Sequence, residues 1–439
     1  GFTLGVTLMT GLLFGAAPAF QSLRLILNDV LKEGWRAGKG PDRGRLRRIL
    51  VVGEIAMALI LLAGAGLLFE SFVNLRSVLP GFDASHLAGV ELRMEGERYD
   101  TPARIQFVRQ LLARVRAIPG VRQTAVSISV PFQFYGRGRT GWSTRRFVND
   151  LGAEVDRFAM VQPVSPGFFS TIGADLVGDD VSPGANGETP IPVALSQSLA
   201  RDLFGERNPL GRVFQWGRTD EDEPRQLRVA GVVKGLHHWG LDQGDESMLY
   251  VPWERMGADI PMTALAVRTD GDPAGVLPAL RAAIWELDPD MALPDVFTVP
   301  ERMGQSLAAP KFYAALLMTF AAVALLLAAG GIYGAMLYTV GRRRHEFGIR
   351  AALGADGGTL VRHVLWSSAR ITIVGLGLGL AGALLATRAL RSMLFQVSAG
   401  DPVPLLGVAA LMGAVAIGAS VIPARRAARA NPVDAMRAE

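Results

Sequence analysis

Apolar residues along this chain gather into five long runs, near residues 2–20, 50–69, 313–340, 366–387 and 403–422. A helix needs ~20 apolar residues to cross the hydrocarbon core of a bilayer. Each run meets or approaches that length, so the pattern predicts an integral membrane protein. Between the second and third runs the period changes. "AGVELRM" (88–94) and "QTAVSISV" (123–130) read as strands. Between them Ile105, Val108, Leu111, Leu112, Val115 and Ile118 recur at helical spacing. The same order returns in "ALAVRTD" (264–270), "GVLPALRAAIWELD" (275–288) and "DVFTV" (295–299). Two strand–helix–strand units flanking an insertion predict a ferredoxin-like α/β body. The insertion holds "PIPVALS" (190–196), "QLRVAGVVKG" (226–235) and "MLYVPW" (248–253) as short strands around a helix at 196–204, enough chain for a second lobe.

Charge orients these elements. The formal net charge of +5 conceals a split: residues 78–307 carry −7 and the remainder +12. A basic chain raises nucleic acid as a partner. Here the excess sits beside apolar runs, where the positive-inside rule accounts for it. "KEGWRAGKGPDRGRLRR" (32–48), residues 342–350 and "PARRAARANPVDAMRAE" (423–439) therefore face the cytoplasm. Every crossing then alternates, and residues 78–307 lie outside. The expected fold is an α-helical membrane bundle plus an extracytoplasmic α/β domain, a ferredoxin-like body with an inserted second lobe.

The first run is a poor signal peptide, since the chain starts on Gly1 and no basic region precedes the apolar stretch. It shares an opening Leu-Met, small residues and a proline exit with the last run, "LMTGLLFGAAPAF" (8–20) against "LMGAVAIGASVIPA" (411–424). Residues 1–34 are thus expected to be the last helix and tail of a preceding repeat. A cytoplasmic basic linker (35–48), a transmembrane helix (49–77), the extracytoplasmic domain (78–307) and a domain with three transmembrane helices (308–439) follow.

Candidate chemistry is sparse. Cysteine is absent, so there is neither disulfide nor thiol nucleophile. None of the four lysines (Lys32, Lys39, Lys234, Lys311) precedes Ser or Thr, so the phosphate-binding G-x-x-x-x-G-K-[ST] loop is missing. No G-x-S-x-G elbow occurs. His237 and His238 stand near Asp242, Asp245 and Glu246. Neighbouring strand residues point to opposite faces, so a polar strand-to-loop segment is favoured over a metal site. The acidic run "GRTDEDEP" (217–224) reads as a solvated hairpin tip. No catalytic residue, cofactor or metal is expected. Two charges fall inside spans, Glu54 and Arg370; they either pair across the bundle or reach individually to the interface. Gly330 with Gly334 and Gly375 with Gly379 have the four-residue interval that lets helices approach, so they are assigned to helix packing.

"RRRHEFGIRAALGA" (342–355) resembles the cytoplasmic signature of FtsX/MacB-type ABC transporter permeases. "AGAGLLFESFVNLRSVLPGFD" (63–83), "VSPGFFSTIG" (164–173), "NPLGRVF" (208–214), "VAGVVKGLHHWGLD" (229–242), "LFQVSAGDP" (394–402) and "IPARRAARANPVDAMR" (422–437) resemble other parts of that family, which covers essentially the whole chain. The resemblance implies that Arg342, Arg343, Arg344, Glu346, Gly348, Ile349, Arg350, Leu353 and Gly354 form a short coupling helix that docks on an ATPase. The residues themselves are compatible: arginine forks suit carboxylates, and Gly348 and Gly354 permit a turn along the membrane face. Arginines at a span end also serve topology alone. The resemblance further implies a cytoplasmic ABC ATPase partner, a second permease half or homodimer, and a periplasmic adaptor or envelope protein, in a bacterial inner membrane. The implied function is mechanotransmission, with export of a lipid-linked, peptide or macrolide-like substrate. The alternative is a non-transport signalling protein that regulates an envelope enzyme such as a cell-wall hydrolase.

Overall fold

The computed structural model describes residues 41–133, 142–182, 189–217, 225–244, 246–256, 262–292, 295–342, 357–390, 394–397 and 402–428. The first apolar run and its tail lie outside these. The chain divides into two compact units: one holds residues 56–327 and 376–414, the other holds residues up to 55, 328–375 and those from 415 on.

Helix α1 (Pro41–Ser77) opens on a proline, whose fixed φ and missing N–H suit the first turn. Its 37 residues extend well beyond the ~20 needed to cross the hydrocarbon. The α/β domain follows with β1 (Leu87–Arg93), α2 (Thr101–Arg116) and β2 (Val121–Ser127). Asp100 caps α2 by accepting the Ala103 N–H at 2.9 Å. Phe107, Val108, Leu111 and Val115 of α2 turn toward the sheet.

The inserted lobe contains β3 (Trp142–Val148), β4 (Glu154–Val164), α3 (Phe168–Ile172), β5 (Leu176–Gly178), β6 (Ile191–Ser196), α4 (Gln197–Phe204), β7 (Val213–Gly217), β8 (Arg225–Val233), β9 (Met248–Pro252) and α5 (Trp253–Met256). The body resumes with β10 (Met262–Thr269), α6 (Leu277–Leu287) and β11 (Asp295–Thr298). Strands β11, β1, β10 and β2 lie side by side in that order, every pair antiparallel, with α2 and α6 on one face. This is the split strand–helix–strand order of a ferredoxin-like body.

In the lobe the order β4-β3-β7-β8-β6-β9 closes on itself, because β9 also pairs in parallel with β4. Closure removes exposed strand edges. Phe147, Phe214, Trp216, Leu227, Leu249 and α4 residues such as Leu203 and Phe204 fill its core. Body and lobe share one sheet through Ser127 opposite Val164. The pattern reading anticipated β6, β8 and β9 but not β3, β4, β5 or β7. β4 alternates poorly: Glu154, Asp156, Arg157 and Phe158 are exposed, and the buried run begins only at Ala159. β7 and β8 are antiparallel neighbours around the acidic run, whose residues 218–224 lie outside those described.

Helix α7 (Val299–Arg342) starts directly from β11, fourteen residues before the apolar run begins, and continues through Pro310. Helices α8 (Gly357–Leu390) and α9 (Pro402–Ala428) complete the set. Among the described residues four helices, α1, α7, α8 and α9, are long and apolar enough to cross a membrane.

One packing detail fixes the body's register. Gly89 of β1 sits opposite Phe297 of β11, and a Cβ there would lie 2.6 Å from ring atom Cε2. Arg302 stacks on the same ring at 4.9 Å, so the ring has little freedom to retreat. Gly89→Val should therefore destabilise the chain by about 1–3 kcal/mol, and Phe297→Leu in the same chain should recover part of that loss. Denaturant unfolding of the two single variants and the double variant measures both quantities.

Candidate functional site: the joint between helix and domain

The last turns of α1 do not end in solvent. Leu75 is buried in the apolar core that also holds Phe82, Leu87, Phe169, Tyr250, Phe297 and Val299, and Val78 packs against it. Met303 and Leu307, in the first turns of α7, pack against the same core, as does Phe395. The Phe395 N–H donates to Ser71 Oγ at 2.8 Å. One membrane helix thus contributes a side chain to the interior of the α/β domain, and a second helix and the segment that follows α8 pack side chains against it. A fully buried Leu contributes roughly 1.5–3 kcal/mol, so the Leu75 anchor is not marginal.

The linker from α1 to β1 is held at three further points. Gly81 has φ +76 and faces the backbone after β8; a Cβ would overlap the Gly235 carbonyl oxygen. Beside it the His237 N–H donates to Pro80 O at 3.0 Å. Two residues on, the Asp83 N–H donates to Ile172 O at 3.0 Å, tying the linker to α3. Arg268 of β10 completes the clamp. Its Nε donates to Thr171 O, its Nη1 to Asp83 Oδ2 at 2.8 Å and its Nη2 to Asp83 O at 2.9 Å. The Ser85 hydroxyl, followed by the Ser85 N–H and Arg268, holds the Asp83 carboxyl below its ordinary range against the cost of burial. Gly173 ends α3 at φ +69, and a Cβ there would stand 3.0 Å from both Arg268 Nη2 and Asp83 Cβ.

Beneath the linker, residues 235–243 form a loop rather than a strand. His237 Nδ1 is 2.7 Å from Gln243 O. His238 points inward and is buried. Its carbonyl accepts from the N–H of Phe132, a buried residue at φ +65, and its Nε2 is 2.7 Å from Ser129 Oγ. Ser129 Oγ also donates to Gln162 Oε1 at 3.3 Å, while Gln162 Nε2 donates to Ser129 O at 2.9 Å and to Ser127 Oγ. Burial pushes the His238 imidazole down to about 3. It is neutral at physiological pH and serves as a structural hydrogen-bonding group.

The predicted in-span residues fall as follows. In the unit containing residues up to 55 and 328–375, Gly375 packs on α1: a Cβ there would be 2.7 Å from Ile55 Cγ2. Gly334 lies 3.1 Å, by the same measure, from Arg47 Nη2, and Gly330 meets nothing within 4 Å. Gly331, not Gly330, carries the close approach on α7, against the Glu54 side chain. In the other unit a Cβ on Gly379 would stand 3.0 Å from Leu59 Cβ, and one on Gly382 2.6 Å from Ile60 Cδ1. Gly331 and Gly382 escaped the sequence reading because it counted only four-residue intervals. The structure does not bring Glu54 and Arg370 together. Arg370 lies over the Trp366 ring at 5.6 Å, one turn back along α8, and no ion pair joins it to Glu54 among the described residues. Ser368 and Ser420 hydroxyls pair at 2.6 Å between α8 and α9, a contact with no spacing signal. Of the coupling segment, Arg342 closes α7, and the remainder, Arg343 to Gly354, lies outside the described residues.

Two family models match the chain. The MacB-like periplasmic core domain matches residues 49–283, and the FtsX-like permease C-terminal region matches residues 318–432. An uncharacterized ABC transporter permease, YknZ, of Bacillus subtilis is 28% identical over 262 residues, 56% of this chain and 61% of its own length. The macrolide export ATP-binding/permease protein MacB of Bdellovibrio bacteriovorus is 24% identical over 410 residues, 89% of this chain and 58% of its own length. The chain thus spans 58–61% of the length of these two relatives. The crystallised periplasmic region of MacB from Actinobacillus actinomycetemcomitans superposes with a TM-score of 0.35 at 14% identity, covering 52% of this chain and 95% of that one.

A stability test isolates the buried imidazole. The unfolded chain binds a proton at His238 below its ordinary value of 6.5, and the folded chain does not until about 3. Stability at this position is therefore complete above pH 6.5 and declines as pH falls, by about 1.4 kcal/mol per unit. His238→Gln should flatten the pH dependence of unfolding between about pH 6.5 and 4.5 by that slope. Parallel curves for the two proteins would contradict it.

Proposed function

Because this chain belongs to the MacB- and FtsX-type family of ABC transporter permeases, we propose that it transmits force: a cytoplasmic ATPase drives the helices, and the α/β domain moves with them. The joint is the observation that carries this reading. Leu75 in the last turn of one helix belongs to the core of the domain, and Val78 just beyond that helix and Met303 and Leu307 on another pack against it. Close-packed interiors transmit displacement rather than absorb it. The linker clamp built from Gly81, Asp83 and Arg268 removes the slack that a free loop would leave.

The driven end is the segment Arg342 to Gly354, with Arg343, Arg344 and Arg350 as forks for carboxylates on the ATPase. The basic excess beside the spans supports a cytoplasmic position for that end, and a bacterial inner membrane as the location. A second permease half, or a second copy, covers part of the exposed apolar helix surface that includes Phe320, Leu326 and Leu327. Relatives named for macrolide export support an export role, with a lipid-linked, peptide or macrolide-like substrate and a periplasmic adaptor or envelope protein as a further partner.

Reconstitution of the chain with its ATPase tests both ends of the lever. Arg350→Glu and Gly348→Pro should insert normally yet leave the ATPase at its unstimulated rate. Arg268→Gln strips the clamp; it should leave ATPase stimulation intact but lower substrate movement about tenfold, a typical coupling free energy. Undiminished transport by Arg268→Gln would defeat the lever. Activation of an envelope hydrolase without transport by the unaltered chain would favour the signalling role.

A further inference from the structure

The ends of α1 and α7, the loop after β8 and residues 394–395 enclose a cavity of about 320 Å³. This is the lower end of the range that holds drug-sized ligands. Its walls are mostly apolar, with Leu68, Leu75, Pro310 and Leu394 among them. Four polar side chains also line it, and two are already committed. Ser71 Oγ accepts from the Phe395 N–H, and Ser306 Oγ donates to Met303 O at 2.7 Å. The other two are Asp242 and Tyr313.

Asp242 is exposed, and no described cation lies within ion-pair distance of it. Lys311, next to Pro310, does not line the cavity. A lone carboxylate, an aromatic ring and an apolar wall together suit one ligand chemistry. The carboxylate and the negative face of the ring both attract a cation, and the wall takes an aliphatic body. An anion is repelled by Asp242, and the mostly apolar walls offer few partners for the hydroxyls of a sugar. Access is consistent with this. Phe312 and Tyr313 stand at the start of the apolar run on α7, where aromatic residues mark the membrane–water boundary, so an amphiphile reaches the cavity from the lipid surface.

We propose that this cavity binds a hydrophobic organic cation bearing a substituted ammonium group, the ammonium at Asp242 and Tyr313 and the apolar part between α1 and α7. Such a ligand wedges against Leu75 and Phe395, the side chains through which the helices enter the domain core. The proposal does not depend on export: it concerns occupancy of the cavity and is tested without the ATPase.

Isothermal titration of the full chain in neutral maltoside micelles with dodecyltrimethylammonium supplies the test. Saturable binding is expected, and the uncharged dodecanol should not compete. Asp242→Asn should weaken binding about tenfold or more, as loss of a charge partner does. Ala309→Trp, at an exposed position lining the cavity, should abolish binding by filling it, with thermal unfolding confirming that both variants fold. Adding phosphatidylethanolamine, with phosphatidylglycerol as the control, distinguishes a lipid headgroup from a free cation as the natural source: competition by the former alone assigns the lipid. Absence of saturable binding, or equal affinity in both folded variants, overturns the proposal.

Discussion

A transmembrane helix that ends in a solvated loop can shift without disturbing the domain beyond it. Here the helix ends pack into and against the core of the domain. Leu75 closes α1 inside the core that holds Phe82 and Phe297, and Val78 just after α1 and Met303 and Leu307 at the start of α7 pack against that core. Because α7 leaves β11 with no intervening loop, a movement of that helix is also a movement of a sheet strand. Removing these side chains from the core exposes apolar surface, and that cost is what makes the connection stiff.

The loop after β8 gathers three roles into one short stretch. Gly81, having no Cβ, leaves room for the Gly235 carbonyl, and the His237 N–H holds Pro80. His238 enters the buried polar network of Ser127, Ser129 and Gln162. Leu241 and Asp242 then reach the cavity between the helix ends. His238 Nδ1 has no hydrogen-bond partner among the described residues, but the several hydrogen bonds that join the other groups of the network admit few alternative geometries. The network thus fixes where the loop lies, and the loop fixes where the linker lies.

Within the bundle, packing follows small residues rather than charge. Gly375, Gly379 and Gly382 give α8 its close approach to α1, and Gly331 admits the Glu54 side chain between α1 and α7. Van der Waals contact is the available attraction where lipid is as apolar as leucine. Arg370 has a second outlet, since its long side chain folds back over Trp366.

Much of the architecture was legible in one dimension. Four described spans and the repeated strand–helix–strand units follow from hydropathy and period, because these are properties of consecutive residues. The closed lobe was not legible: β3 and β4 carry water-facing arginines or acids, β7 is only five residues long, and the β3–β7 and β4–β9 pairings join residues far apart in the chain. Nor was the clamp. Asp83, Thr171 and Arg268 are unremarkable letters in three separate segments, and only folding brings a guanidinium within 2.8 Å of that carboxylate. The sequence by itself determined which stretches enter a membrane and which alternate into a sheet. Tertiary structure alone decided that the two are welded at Leu75, Gly81 and Arg268, because a long-range contact has no local period to betray it.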